Sequence, residues 1–411
     1  MSEWKKVKLK DCCHSISDGD HLPPPKSNSG VPFVTIANID ATNHIDFGNT
    51  MFVPLEYYNS LNDIRKAKCN DILYSVVGSF GKPVLIKENI PFAFQRHIAI
   101  LRPNNEIADS RFLYYVMLTR DFFMQADTVA IGAAQRTISL TALRNMEVKL
   151  PSMETQHRIA SILSRYDSLI ENYQKQIKLL EEAAQRLYKE WFVDLHFPGH
   201  ENTNIIDGVP EGWEKKSVDS IYNIKYGKNL STKLITETGF YPVYGANGVI
   251  GYYDKANCNE QVVLITSRGN GSGDVLMTYH KDAFITNNSF IVTPSEGFEY
   301  CKLPFTFQFL KMANFRAVRT GAAQPQLTNQ SIHTVDVILP NKNLIEKFCS
   351  ATIGMNDTII KYREQIRLLT EARDRLLPKL MSGELTLEAR AEKEDLLATP
   401  CKRGWEEDEA K

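Results

Sequence analysis

Two long stretches of the chain repeat apolar residues at alternating intervals of four and three positions. The first extends from Ile159 to Leu187 and the second from Phe348 to Leu376. This heptad spacing is typical of a helix that packs along its length against another helix. The predicted seam residues are Ile159, Leu163, Tyr166, Ile170, Tyr173, Ile177, Leu180 and Leu187 in the first stretch, and Phe348, Met355, Ile359, Tyr362, Ile366, Leu369 and Leu376 in the second.

Each of the two predicted helices has an apolar face too long to be buried by its own domain alone. Each has about 35 residues and would be roughly 50 Å long at about 1.5 Å per residue. A single amphipathic helix usually buries its apolar face on its own domain. Here each seam has more apolar length than the edge of one domain covers, so we expect the helices to pair as an antiparallel coiled coil. Such a pair relates the two halves of the chain by an approximate twofold axis.

The regions that precede the helices have the pattern of strands. Short apolar or alternating runs, such as 71–77 and 97–101, are separated by Gly, Pro and Asn, with one helix expected over 110–123. The predicted fold class is α+β, with two mixed, strand-rich domains and two long helices in a pseudo-twofold repeat. The predicted divisions are a first domain 1–151, a first helix 152–196, a linker 197–209, a second domain 210–340, a second helix 341–385 and a charged, disordered tail 386–411.

The chain repeats itself with a shift of 189 positions, the separation of Gly132 from Gly321. Without a gap, the run GAAQ at 132–135 aligns with 321–324, and the two helices align along their length. The bodies of the two domains match poorly. Matching helices can serve two copies of one partner, and diverged domains can recognise two different targets.

Composition and charge narrow the class of protein. The chain is 43% hydrophobic and 24% charged, as in ordinary globular proteins. It has no run of about 18 uncharged apolar residues, and its polar start lacks an apolar signal core, so a cytoplasmic protein is expected. The net charge of −1 argues against a free-standing, strongly basic nucleic-acid binder, but allows a DNA-binding subunit of a larger complex.

Four motifs resemble conserved regions of type I restriction-modification specificity subunits. Two of them close the helices, at 190–195 (EWFVDL) and 375–385 (RLLPKLMSGEL). The other two, at 18–21 (DGDH, followed by Pro23 and Pro24) and 241–248 (YPVYGANG), look like two different varieties of target recognition domain. The resemblance covers about residues 4–385.

This resemblance implies a DNA sequence-specificity subunit of a type I restriction-modification complex. Each target recognition domain would read one half of a bipartite, gapped target in double-stranded DNA. The coiled coil would act as a spacer, comparable with the helical turn of about 34 Å of B-DNA, and as the docking site for two methyltransferase (modification) subunits. Two restriction/translocase subunits would join the assembly. The chain itself would be non-catalytic and without a cofactor, with S-adenosylmethionine and ATP/Mg expected in the partner subunits.

Polar and basic residues beside Gly-rich turns are the candidates for DNA contacts. Arg, Lys, Asn and Gln bind base edges, and hydroxyl groups bind phosphate. The candidates are His21, Lys26, Ser75, Ser79, Lys82, Arg96, Gln135 and Arg136 in the first domain, and Ser267, Arg268, Asn270, Asn287, Asn288, Arg319, Gln324 and Gln326 in the second. The alternative for each is a turn residue that caps a hairpin, and Gln135 and Gln324 also fit a structural role at a domain edge.

Two other classes of function remain as alternatives. A cofactor-binding, DNA-modifying enzyme could use the Gly-rich run 269–273, but the alternating residues 274–279 predict a strand where such a site needs a helix. A hairpin turn is therefore favoured there. The second alternative is a coiled-coil scaffold without a nucleic-acid role. A metal site built on Cys12, Cys13, His14 and His21 is not expected, because two adjacent thiols rarely bind one ion.

Overall fold

A computed structural model describes residues 4–21, 23–40, 42–133, 135–321 and 325–385. The described chain forms two compact units. Unit 1 contains the residues up to Ile170 and those from Leu368 onward, and unit 2 contains Glu171–Arg367. Each unit thus combines one strand-rich domain with part of both long helices. The predicted tail, 386–411, lies outside the described residues.

The domain of unit 1 alternates short strands with short helices. Its strands are β1 (Lys5–Lys8), β2 (Cys13–Asp18), β3 (Val31–Val34), β4 (Met51–Val53), β5 (Ile72–Ser75), β6 (Pro83–Leu85), β7 (Ala93–Phe94), β8 (Ile98–Pro103) and β9 (Glu147–Leu150). Its helices are α1 (Leu9–Cys12), α2 (Leu55–Ser60), α3 (Ser110–Met117), α4 (Arg120–Val129) and α5 (Leu140–Asn145). The single helix predicted over 110–123 is two helices, because Thr119 caps α4 by accepting a hydrogen bond from the Phe122 N–H.

The strands of unit 1 form three small sheets. An antiparallel sheet has the order β2-β8-β5-β6, a second sheet has the order β4-β3-β7 with β3 parallel to β7, and β1 pairs with β9. The strands β5 and β8 lie in the middle of the larger sheet, and their apolar residues join the core formed with Phe112 and Leu113 of α3. The first long helix, α6 (Met153–Phe192), contributes Ile159 and Leu163 to this core.

The domain of unit 2 follows α6 in the chain. Its strands are β10 (Ile205–Ile206), β11 (Val209–Pro210), β12 (Glu214–Ser217), β13 (Tyr222–Tyr226), β14 (Tyr241–Gly245), β15 (Gly248–Tyr253), β16 (Val263–Thr266), β17 (Val275–Met277), β18 (Phe284–Ile285), β19 (Ser289–Pro294) and β20 (Asp336–Leu339). Its helices are α7 (Val218–Ile221), α8 (Leu303–Met312), α9 (Asn329–Ile332) and the second long helix, α10 (Lys342–Met381). The predicted linker holds the start of the β10–β11 hairpin, whose turn residues Asp207 and Gly208 both have positive φ.

The domain of unit 2 has the same topology as that of unit 1. Its larger antiparallel sheet has the order β13-β19-β16-β17, its second sheet has the order β15-β14-β18 with β14 parallel to β18, and β12 pairs with β20. The match is strand for strand, although the sequences of the two bodies differ. The two domains differ most between the first two strands of the second sheet, where residues 35–50 separate β3 from β4 but only Ala246 and Asn247 separate β14 from β15.

The two long helices pair in antiparallel orientation, as predicted from the apolar length of their seams and from the repeat. In unit 2, Tyr173 stacks on Tyr362 with ring centroids 4.7 Å apart, while Tyr188, later in α6, packs on Phe348, earlier in α10. In unit 1, Arg373 of α10 binds Asp167 of α6. All the predicted seam residues are buried or half-buried. The ends of the seams also join the domain cores, with Ile159 in unit 1 and Phe348 in unit 2.

Candidate nucleic-acid interface

In unit 1, the loop after β5 lies beside the segment that follows Gly132. The Gly78 N–H donates to the Arg136 carbonyl oxygen at 2.9 Å, and the Ile138 N–H donates to the Val76 carbonyl oxygen at 2.8 Å. Ser79, at the tip of the loop, and Gln135 are both exposed. The structure therefore brings together two groups of candidates that are more than 50 residues apart in the sequence.

Unit 2 repeats this junction. The Gly269 N–H donates to the Pro325 carbonyl oxygen at 3.0 Å, and the Leu327 N–H donates to the Ser267 carbonyl oxygen at 2.8 Å. Arg268 forms an antiparallel bridge with Gln326. Arg268, Asn270 and Gln326 are exposed. Each unit thus presents polar side chains on the same pair of neighbouring segments, but the side chains themselves differ.

Two serine candidates point into the protein. Ser75 is fully buried, and its hydroxyl donates to the Ser79 carbonyl oxygen at 2.9 Å and accepts from the Lys82 N–H at 2.9 Å. Ser267 is also fully buried and donates to the Asn287 carbonyl oxygen at 3.1 Å. The structure therefore corrects the prediction for both residues, which hold the loops and leave no hydroxyl for DNA.

The two arginine candidates near the Gly-Ala-Ala-Gln runs are also engaged by the fold. Arg136 forms an ion pair with Asp127, and its guanidinium carbon lies 5.3 Å from the centroid of the Phe80 ring. Arg319 is half-buried, and its Nε and Nη2 are shielded from solvent without a hydrogen-bond partner in the described part of the chain. Both side chains are directed at the protein, so we assign neither to a DNA contact.

The remaining candidates differ in exposure. His21, Lys26 and Arg96 are exposed in unit 1, and Lys82 is half-buried. In unit 2, Asn287 and Asn288 are half-buried in the turn between β18 and β19, and Gln324 lies outside the described residues. Exposure keeps the first three available to DNA.

Acidic residues of the DGDH motif position His21. Its Nε2 lies 2.8 Å from Asp18 Oδ2, and its backbone N–H donates to Asp20 Oδ1 at 2.8 Å. Asp20 in turn accepts hydrogen bonds from the Tyr57 hydroxyl at 2.7 Å and from Arg65 at 3.2 Å. Asp18 and Asp20 were not among the residues predicted for the site, although their spacing on either side of Gly19 was the available signal.

The alternative sites find little support in the geometry. The Gly-rich run after β16 leads into β17, which pairs antiparallel with β16, so the predicted hairpin is confirmed. Among the described residues, no group of three or more His, Cys, Asp or Glu side chains is arranged to hold a metal ion. The Cys12 thiol donates to the Leu9 carbonyl oxygen inside the core. No helix in the described ranges has the apolar length to span a bilayer.

The fold and the duplicated loop junction define a class of protein with two domains of one topology, each combined with part of two antiparallel long helices. The family of the type I restriction modification DNA specificity domain matches the chain twice, over residues 1–182 and 210–362. The chain therefore belongs to this family.

Relatives agree with this assignment. The chain is 28% identical over 306 residues to the type I restriction enzyme MjaIX specificity subunit of Methanocaldococcus jannaschii, which covers 68% of this chain and 70% of the relative. It is 22% identical to the HindI specificity subunit of Haemophilus influenzae, covering 94% and 100% of the two chains. Its fold is similar to the crystal structure of the type I restriction-modification S subunit from M. genitalium, with a TM-score of 0.57, 19% identity and coverage of 92% and 96%.

Proposed function

We propose that each unit reads one half of a bipartite, gapped DNA target, on behalf of a type I restriction-modification complex. The observation that carries the proposal is the combination of one shared topology with two different loop surfaces. Equivalent loops place Ser79 and Gln135 in one unit, and Arg268, Asn270 and Gln326 in the other. Two scaffolds of one shape with different exposed donors and acceptors suit two different base sequences.

The proposal predicts the pattern of DNA methylation directly. The chain is to be co-expressed with its genomic neighbours, and the methylated adenines of the host DNA are to be mapped. We expect a motif of two short specified parts separated by unspecified base pairs. A continuous motif, or no methylation that depends on this chain, would contradict the proposal.

The long helices support docking of two copies of one partner. Leu179 of α6 and Leu368 of α10 occupy equivalent positions in the repeat, and their side chains are 64% and 44% exposed. An exposed leucine at the same place in both helices fits a pair of identical contacts. We assign these contacts to two methyltransferase subunits, with two restriction/translocase subunits joining through the assembly.

Each exposed leucine should hold one methyltransferase copy. The change Leu179→Glu is expected to reduce the number of bound methyltransferase subunits from two to one. The double change Leu179→Glu with Leu368→Glu is expected to remove both subunits, because a carboxylate cannot be buried in an interface without a partner. Native mass spectrometry gives the copy number. Leu169→Glu is the control, since Leu169 is 45% exposed but aligns with Thr358 in the repeat. Retention of both copies by the double variant would refute the assignment.

Catalysis belongs to the partners in this proposal. The chain would act as the non-catalytic subunit, without a cofactor of its own, while S-adenosylmethionine and ATP/Mg act in the partner subunits. The cytoplasmic location expected from the sequence remains a prediction. The purified chain alone should neither consume S-adenosylmethionine nor hydrolyse ATP, and either activity would favour an enzyme.

Arg268 offers the sharpest test of a single DNA contact. It is exposed, and its guanidinium group makes no hydrogen bond or ion pair with the described part of the chain. Arg268→Ala should weaken binding of the assembled complex by about 1–3 kcal/mol and relax selectivity in one half of the target. Arg268→Lys keeps the charge but loses the bidentate geometry, so it should restore affinity more than selectivity. Unchanged affinity and selectivity of the alanine variant at fixed salt would remove Arg268 from the interface.

A further inference from the structure

The tip of the β14–β15 hairpin is a two-residue turn, where unit 1 has a longer connection. Gly245 pairs with Gly248, and only Ala246 and Asn247 form the turn between them. Gly248 has a φ of +103°, a backbone conformation that is unfavourable for a residue with a side chain. The glycine at this position therefore allows the tight turn. The corresponding strands of unit 1, β3 and β4, are joined by the longer connection 35–50.

Two buried hydroxyls fasten the tip to the larger sheet. Thr266 Oγ1 donates to the Ala246 carbonyl oxygen at 2.7 Å, and Ser289 Oγ donates to the Gly245 carbonyl oxygen at 3.1 Å. Both side chains are fully buried, and the two residues pair across β16 and β19. The equivalent pair in unit 1 is Ser75 and Ile98, of which Ser75 bonds within its own loop. The anchoring is therefore specific to unit 2, and it pre-organises the tip.

A β-bulge turns two consecutive apolar side chains outward beside the turn. Val243 pairs with Gly251 but Tyr244 pairs with Val249, which leaves Ile250 without a partner in the ladder. Val249 and Ile250 are 46% and 48% exposed, although neighbouring residues of a regular strand point to opposite faces. A β-carbon at Gly245 would lie 3.0 Å from Ile250 Cγ2, so the glycine makes room for this side chain.

Asn247 lies at the end of the turn, beside the Gly-rich loop. It is exposed, and its amide makes no hydrogen bond with the described part of the chain. A β-carbon at Gly271 would lie 3.2 Å from Asn247 Oδ1, which places the amide next to the loop of Arg268 and Asn270. The tip is therefore continuous with the surface assigned to DNA, and it adds a free amide and two apolar groups to that surface.

We propose that this tip reads an A·T base pair in the half-site of unit 2. An asparagine amide matches the N6 donor and N7 acceptor of adenine, and an apolar side chain matches the 5-methyl group of thymine, both in the major groove. Asn247 supplies the amide, and Ile250 supplies the methyl contact with Val249 beside it. The inference rests on the proposed function and extends it to specificity-determining residues.

The experiment uses the complete complex with its methyltransferase subunits, after the native motif has been mapped. Binding is measured to duplexes in which each specified base pair is replaced in turn. Asn247→Ala should lower the discrimination at one A·T pair of one half by about 5- to 150-fold and leave the other half unchanged. Asn259→Ala is the matched control, because Asn259 is exposed at the opposite end of β16.

Modified bases test the two contacts separately. Replacing the thymine of that pair with uracil removes only the methyl group. This replacement should weaken DNA binding by the native complex by about 4-fold, and it should not change DNA binding by the Ile250→Ala complex. Replacing the adenine with 7-deazaadenine should affect the native complex but not Asn247→Ala. Equal losses at every base pair would indicate a phosphate contact, and unchanged discrimination would indicate a structural turn; either result overturns the inference. A native complex without a two-part motif would instead contradict the proposed function itself.

Discussion

Gly227→Ala is expected to lower the free energy of unfolding of unit 2 by about 3 kcal/mol or more. A β-carbon at this position would lie 2.3 Å from the Thr286 carbonyl oxygen and 2.5 Å from the Ile285 carbonyl oxygen. Because these are backbone atoms, the segments that follow β13 and β18 must separate. That movement would break the hydrogen bonds from the Gly227 N–H to Ser289 and from the Lys228 N–H to Ile285. Thermal unfolding should show the transition of unit 2 lowered by roughly 6–12 °C.

Unit 1 repeats this close approach at Gly19. A β-carbon there would lie 2.1 Å from the Phe94 carbonyl oxygen, which is a physical reason for the glycine of the DGDH motif. Gly354→Ala is the control, because Gly354 lies in α10 with no atom within 4 Å of an added β-carbon, and alanine should stabilise the helix by about 0.5–1 kcal/mol. If Gly227→Ala left the midpoint of thermal unfolding of unit 2 unchanged, that result would contradict the close approach of the backbone at Gly227 to the backbone at Thr286.

Arg373→Ala should destabilise unit 1 by about 2–3 kcal/mol. Arg373 Nη1 donates to Asp167 Oδ1 at 2.8 Å, and the two side chains are only 26% and 14% exposed. The Tyr115 hydroxyl donates to the other oxygen of Asp167 at 2.5 Å. Burial of the hydroxyl is the largest cause that raises the pKa of Tyr115 far above its ordinary value, and the negative charge of Asp167 is the second. Tyr115 therefore stays a neutral donor. Without Arg373, a largely buried carboxylate keeps one donor and no opposite charge.

The repeat supplies the compensating variant. At the positions equivalent to Asp167 and Arg373, unit 2 has Asn356 and Ala184, which line a cavity of about 40 Å³. The double change Asp167→Asn with Arg373→Ala copies this arrangement and leaves no buried charge unpaired, because Asp374, the other partner of Arg373, is 57% exposed. It should recover at least half of the stability lost by Arg373→Ala in denaturant unfolding. Equal losses in the single and double variants would mean that the ion pair does not account for the effect.

The coiled coil could be predicted because its signal is periodic. A seam every three and four residues fixes both the helix and the face it buries, and Leu163 and Ile359 are buried where the heptads place them. Leu179, outside the seam, is exposed. The antiparallel orientation followed from the apolar length of the two seams and from the repeat.

The orientation of the loop residues could not be predicted in the same way. All four residues of β5 are buried, as are all four of β16, so neither strand has an exposed face. Ser75 is the last residue of β5 and Ser267 directly follows β16, and both turn inward with the strands. Alternation of polar and apolar residues identifies a strand but not its neighbours, which are distant in sequence. The repeat therefore predicted that the two domains share one fold, but the order of the strands within each domain could not be predicted.

The most direct test of the account is to exchange residues 205–340 for the equivalent segment of a related protein. The exchanged chain is co-expressed with the same partner subunits, and the methylated adenines are mapped again. Because we propose that each unit reads its own half, only the part of the motif read by unit 2 should change, and the other part should stay as it was. A change in both parts, or in neither, would contradict independent recognition by the two units.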